Sequence, residues 1–201
     1  MVKALPLVAI YADESCLGNG REGDNPGGAG VLVEYVKPRG GLVRRDLWVS
    51  DRATTNNRMA LLSVISAFDA LGAKGKRFRV VFTTDSRYIV DGMTEWVHGW
   101  AARGWKRKSG EIENLELWHE ALSAAGPHHV SWRWVRGHEG HAQNEYANDL
   151  AVNAARVQTE SNGLVESGFD AWRAARKEGK ARVDPFPEAT SFRAGRALPE
   201  V

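Results

Sequence analysis

At 201 residues and 43% hydrophobic content, the chain can fill one core and carry an appended segment, but two full domains would be cramped. Its 27 basic and 25 acidic side chains leave a formal charge of +2, too weak for bulk charge to argue for a nucleic-acid partner. One cysteine, Cys16, excludes an internal disulfide framework and a cysteine-rich zinc site, and no apolar run approaches the roughly 20 residues of a membrane span. With Met1 to Pro6 leading straight into strand-like sequence, the expectation is a cytoplasmic monomer with no membrane role.

Leu7 to Ala12 is a short apolar run ending at Asp13 and Glu14, ahead of a Gly-rich loop from Gly18 to Gly28. This pattern predicts a buried strand with polar cargo at its C-terminal end. Val31 to Val36 and Leu42 to Val49 read as two more strands, joined through a hairpin signal at Pro38, Gly40 and Gly41. From Thr55 the period becomes helical, with Leu61, Ile65 and Phe68 on one face and a stop near Gly72. Arg79 to Thr83 is a compact strand that again ends at a carboxylate, Asp85.

Ser86 to Arg103 is helical, interrupted at Gly92, with Trp96 and Trp100 one turn apart. A basic turn (Trp105 to Lys108), a helix (about Asn114 to Ala124) and a strand (Val130 to Val135) follow. A loop with His138 and His141 then leads to a last helix from about Asn144. Three strands followed by alternating helices and strands predict an α/β domain, a mixed sheet covered by helices, over residues 1–156. Residues 157–201 lose period and read as a tail, partly disordered or with one short helix around Phe169 to Lys177, a solvated appendage in preference to a basic nucleic-acid-binding arm.

The stretches Tyr11 to Asn19, Thr54 to Met59, Thr84 to Ser86 and Val135 to His138, with Asn144 and Glu145, resemble type 1 ribonuclease H in order and spacing. Trp96, Trp100, Gly104 and Trp105 resemble that family's substrate-handling helix and turn. The resemblance implies the ribonuclease H-like fold, a five-stranded mixed sheet with an antiparallel meander, then parallel strands, and helices on both faces. It also implies an endonuclease that cuts the RNA strand of RNA–DNA hybrids with two metal ions, leaving 3′-hydroxyl and 5′-phosphate ends.

That chemistry needs an activated water and relief of charge on the leaving oxygen, which two Mg²⁺ ions about 3.5–4 Å apart can supply. Mg²⁺, with Mn²⁺ as a possible substitute, selects hard oxygen ligands, so a carboxylate cluster is expected. Asp13 and Asp85 fit, each at a strand end. The family's second carboxylate, a glutamate on the first helix, is replaced by Ala60, and the fourth, an aspartate on the last helix, by Asn148. Glu14 stands where type 1 sequences have glycine, and Asp13-Glu14 resembles the adjacent pair of type 2 ribonucleases H.

Three readings stay open: an engineered inactive form, a natural protein that only binds hybrids, or a rewired site using Asp13, Glu14, Asp85 and Asn148. Against rewiring, successive strand residues face opposite sides. In its favour, pleating can break down at a strand end, and glutamate is long. Asp149 sits about 100° around the helix from Asn148 and is expected to face solvent.

His138 matches the family's mobile histidine, whose ordinary pKa near 6.5 suits proton exchange. His141 reads as structural. Cys16, Asn19, Asn56, Asn57 and Arg87 match positions that contact the hybrid's minor groove and RNA 2′-hydroxyls, and helix capping by Asn56 or Asn57 can coexist with that contact. Trp96, Trp100, Trp105 and Lys106 form an aromatic and basic set suited to the DNA strand, with Trp96 also readable as core.

Overall fold

The structure, a computed structural model, describes residues 5–18, 25–37, 40–107, 109–137, 139–179 and 192–201. Asn19, Pro38, Lys108 and His138 lie outside the described residues. β1 (Leu7–Cys16), β2 (Gly27–Val36) and β3 (Leu42–Asp51) form the antiparallel meander. β4 (Arg79–Thr84) then pairs parallel to β1, and β5 (His129–Trp134) parallel to β4. The sheet order is β5-β4-β1-β2-β3-β6, so β1 and β4 lie side by side inside the sheet and Asp13 and Asp85 emerge at neighbouring positions.

Alternation along β1 sorts its side chains between two layers. Val8, Ile10 and Ala12 join the larger core with Leu61, Val64 and Phe68 of α1 (Asn56–Gly72) and Trp118 of α4 (Leu115–Ala125). Ala9 and Tyr11 face the other way, toward Tyr146 of α5 (Ala142–Val157) and Phe169. α5 lies directly on β2, because a Cβ at Gly30 would sit 2.2 Å from the Ala147 carbonyl oxygen. Small residues on the helix, Ala147, Ala151 and Ala154, complete this close approach.

The helical block after Asp85 is broken where the sequence suggested. α2 (Arg87–Asp91) passes through a π-helical turn, Gly92–Trp96, into α3 (Val97–Ala101). A side chain on Gly92 would collide with the Trp118 ring, so the interruption marks a place where a large indole crosses the helix.

Two expectations need correction. The sheet has six strands, because Val165 and Glu166 form β6 against Asp46 and Arg45 of β3. The segment after α5 is also partly docked: α6 (Phe169–Glu178) buries Phe169 completely against Tyr146 and Trp172. Polar ties explain the docking. Asp46 accepts from the Tyr146 hydroxyl (2.5 Å) and the Gly168 amide (3.0 Å), while Arg44 bridges buried Glu34 and Asp170, each at 2.8 Å. Asp149 keeps a side chain 39% exposed and still accepts from the Trp172 indole (2.7 Å) and Arg176 (2.8 Å), and so fastens α6 to α5. At the opposite sheet edge, the Gly195 amide donates to Val130 on β5. Among the described residues, no helix is long and apolar enough to cross a membrane.

Candidate active site

β1 does not end at Asp13. It continues through Glu14, paired with Ala29, to Cys16, paired with Gly27. The pair therefore keeps regular pleat, which corrects the expectation of a broken strand end. Asp13 has the parity of Ala9 and Tyr11 and belongs to the α5 side, while Glu14 has the parity of Ile10 and Ala12 and belongs to the α1 side. That is the side on which Ala60 packs, 1% exposed, in the core.

β4 stops at Thr84, the partner of Ala12, and the chain leaves the sheet at Asp85, beside the Asp13-Glu14 pair. Carboxylate oxygens of Asp13, Glu14 and Asp85 all lie within 4.8 Å of one another. Burial pushes the Asp13 carboxyl up to about 9, reinforced by repulsion from Asp85 and Glu14, while the Glu14 amide, donating at 2.7 Å, opposes the rise. Glu14 is raised to about 8, first by burial and then by Asp85, with a hydrogen bond from the Ser86 side chain working against the shift. Three carboxyls held this close in a largely dry setting repel each other, and a divalent cation is the natural relief. The oxygen-only donor set fits a hard metal ion, so the cluster can hold one.

Asn144, in the first turn of α5 and 2% exposed, donates its side-chain amide to Asp13 Oδ2 at 3.2 Å. In the sequence Asn144 stands out only as part of the pattern it forms with Val135 to His138 and Glu145. Its signal was its place one turn before Asn148, on the same helical face. Asn148 itself is half-buried on α5. Gly137 was also missed: a Cβ there would lie 2.3 Å from Asp85 Oδ2.

Of the expected hybrid contacts, Cys16 lies two residues beyond Glu14 on β1 and Arg87 two residues beyond Asp85, while Asn19 lies outside the described residues. The Cys16 thiol donates to the carbonyls of Thr54 (3.5 Å) and Asn25 (3.7 Å), drawing the end of β1 to the loop before α1. Thr55, rather than either asparagine, caps α1, its hydroxyl accepting from the Arg58 amide at 3.3 Å. Capping therefore does not explain Asn56 and Asn57, and the buried Asn56 Oδ1 has no partner among the described residues. Arg87 opens α2, its guanidinium 3.8 Å from the centre of the Trp134 ring.

Trp96 is 36% exposed, so it is not a core residue, and its ring leans on Tyr88 and Trp100. Trp105 adopts a left-handed backbone (φ 61°) and packs edge-on against His119. With Lys106, Arg107 and Arg58 it lines an open cavity of about 670 Å³. His141 precedes the first turn of α5.

The RNase H family model matches residues 6–156. The chain is 44% identical to ribonuclease H of Syntrophotalea carbinolica over 155 residues, 77% of this chain and 94% of that protein. It is 40% identical to ribonuclease HI of Vibrio cholerae over 156 residues, 77% of this chain and 92% of that one. The crystal structure of LC9-RNase H1, described as a type 1 RNase H with the type 2 active-site motif, superposes with a TM-score of 0.91. Identity to it is 68%, over 100% of this chain and 97% of that chain.

Proposed function

The chain belongs to the ribonuclease H family, and on that premise we propose that its carboxylate cluster cuts the RNA strand of RNA–DNA hybrids, with Mg²⁺ as cofactor and Mn²⁺ as a substitute. The carrying observation is the convergence of Asp13, Glu14 and Asp85 oxygens within 4.8 Å. Asp13, Glu14 and Asp85 would hold the metal, with Asn148 offering a neutral carbonyl oxygen as a fourth ligand. Bound divalent ions supply an activated water and neutralise charge on the leaving oxygen of the scissile phosphate. Glu14 reaches the cluster from the side of Ala60 and replaces the carboxylate absent there. The likeness to a relative described as carrying the type 2 motif in a type 1 frame supports this rewiring.

The protein's own residues orient the reaction. Asn144 fixes one oxygen of Asp13, and Ser86 bonds to Glu14. Cys16, Asn19, Asn56, Asn57 and Arg87 read the hybrid's minor groove, where 2′-hydroxyls distinguish RNA from DNA. Trp96, Trp100, Trp105 and Lys106 grip the DNA strand, and His138 assists proton movement or product release. We take the active species to be a monomer, with Asp13, Glu14 and Asp85 all on one chain.

A labelled hybrid incubated with the protein in Mg²⁺ or Mn²⁺ tests this reading, with Glu14→Ala and Ala60→Glu beside the parent. Cleavage by the parent and its loss in Glu14→Ala are expected. Full activity in Glu14→Ala would sink the rewiring. Hybrid binding without cleavage in either metal would make the protein a binding module.

A further inference from the structure

We infer that Trp134 is a positioning residue that couples the carboxylate cluster to the grip on the hybrid, through two separate parts of one indole. The inference rests on the reading of Arg87 as a hybrid contact.

Trp134 ends β5 opposite Thr84, the last residue of β4. One step later Asp85 has left the ladder, so sheet pairing no longer directs its backbone. The Trp134 indole Nε1 takes over and donates to the Asp85 carbonyl oxygen at 2.9 Å. A donor on a rigid strand thereby holds the peptide from which the Asp85 carboxylate springs. The face of the same ring carries Arg87, whose guanidinium carbon is 3.8 Å from the centroid.

Arg87 is otherwise lightly held. Its side chain is 60% exposed, and among the described residues its ion pair is with Asp91, 3.9 Å away. A guanidinium laid flat on an aromatic face keeps its N–H edge available for phosphate or ribose oxygens and loses fewer conformations on binding. Trp134 is itself 37% exposed, an unusual position for a tryptophan that only fills space. One residue thus touches both the backbone of a metal-site carboxylate and the side chain of a nucleic-acid contact. The hydrogen bond acts on the metal site, and the ring face acts on the hybrid.

Three variants separate the two parts, read by Mn²⁺ titration calorimetry and by hybrid affinity measured without divalent metal. Trp134→Phe keeps an aromatic face and removes the N–H, so Mn²⁺ affinity should fall about threefold to tenfold with hybrid affinity near the parent's. Arg87→Ala should weaken the hybrid about fivefold and leave Mn²⁺ affinity unchanged. Trp134→Leu should show both losses, with Trp134→Met serving the same arm if Trp134→Leu does not fold. Parent-like Mn²⁺ affinity in Trp134→Phe overturns the link to Asp85. Parent-like hybrid affinity in Trp134→Leu overturns the link to Arg87. If Arg87→Ala itself binds the hybrid normally, the reading of Arg87 as a contact fails, and the Mn²⁺ result of Trp134→Phe still decides the metal-side half.

Discussion

Asn144 on α5 donates to Asp13 on β1 across 131 positions of sequence, and this 3.2 Å bond joins the last helix to the central strand at the carboxylate cluster. Both groups are buried, so neither can exchange its partner for bulk water at low cost. Asn144→Ala should leave the fold intact and lower kcat about tenfold, corresponding to ~1.4 kcal/mol for a lost bond to a charged acceptor. Steady-state cleavage of a defined hybrid measures this, and an unchanged kcat would show that Asp13 does not need the amide.

Gly137 makes room for Asp85. A Cβ at this position would fall 2.3 Å from Asp85 Oδ2 and 3.2 Å from its Cγ, so the carboxylate must move aside in Gly137→Ala. A displacement of about 1 Å in a reacting assembly costs on the order of 100-fold in rate. Cleavage should therefore collapse while the melting temperature stays close to the parent's, because a side-chain end yields rather than the core. A variant with parent kcat/KM would mean that Asp85 tolerates the shift.

The meander and the two strand-end carboxylates were legible because alternation and turn residues are local signals, and β1 and β4 each deliver a carboxylate where an apolar run stops. The break at Gly92 was legible as a position but not as a cause, since the Trp118 ring that requires it lies 26 residues further on. α6 was legible as a helix but not as a docked one. Phe169 is its only fully buried residue, and one aromatic among charged neighbours looks like a solvated segment. Asp149 is solvent-facing as expected, with a side chain 39% exposed, but its partners Trp172 and Arg176 belong to that segment, and nothing within α5 announces them. The parity of Glu14 looked like an objection. In the folded chain it points Glu14 toward the side where the helix glutamate is missing.

The docked C-terminal helix makes a stability prediction. Phe169 has no solvent exposure, stacks on Trp172 at 5.9 Å, meets the Tyr146 ring edge at 5.4 Å and lies under Arg44. Phe169→Ala should cost about 3–5 kcal/mol, the usual range for emptying a buried aromatic site. Urea unfolding followed by tryptophan fluorescence reads this directly. A change within about 0.5 kcal/mol, typical of surface substitutions, would return the segment to the status of a solvated appendage.

Metal binding should release protons. The Asp13 and Glu14 carboxyls, raised by burial and by their acidic neighbours to about 9 and about 8, retain protons at pH 7 in the metal-free protein. A divalent cation needs them ionised, so its binding displaces those protons. Calorimetric titration with Mg²⁺ at pH 7 in two buffers of different ionisation enthalpy should show buffer-dependent heat, corresponding to about one to two protons and fading above pH 9. Stability has the matching sign. Each folded pKa lies above its unfolded value, so the contribution of these groups to metal-free stability is full below pH 3.8 and lost as pH rises through about 8 and then 9. Mg²⁺ should therefore raise the melting temperature more at pH 9 than at pH 6. Equal heats in both buffers, with an equal Mg²⁺ effect at both pH values, would mean that the cluster is already ionised before metal arrives.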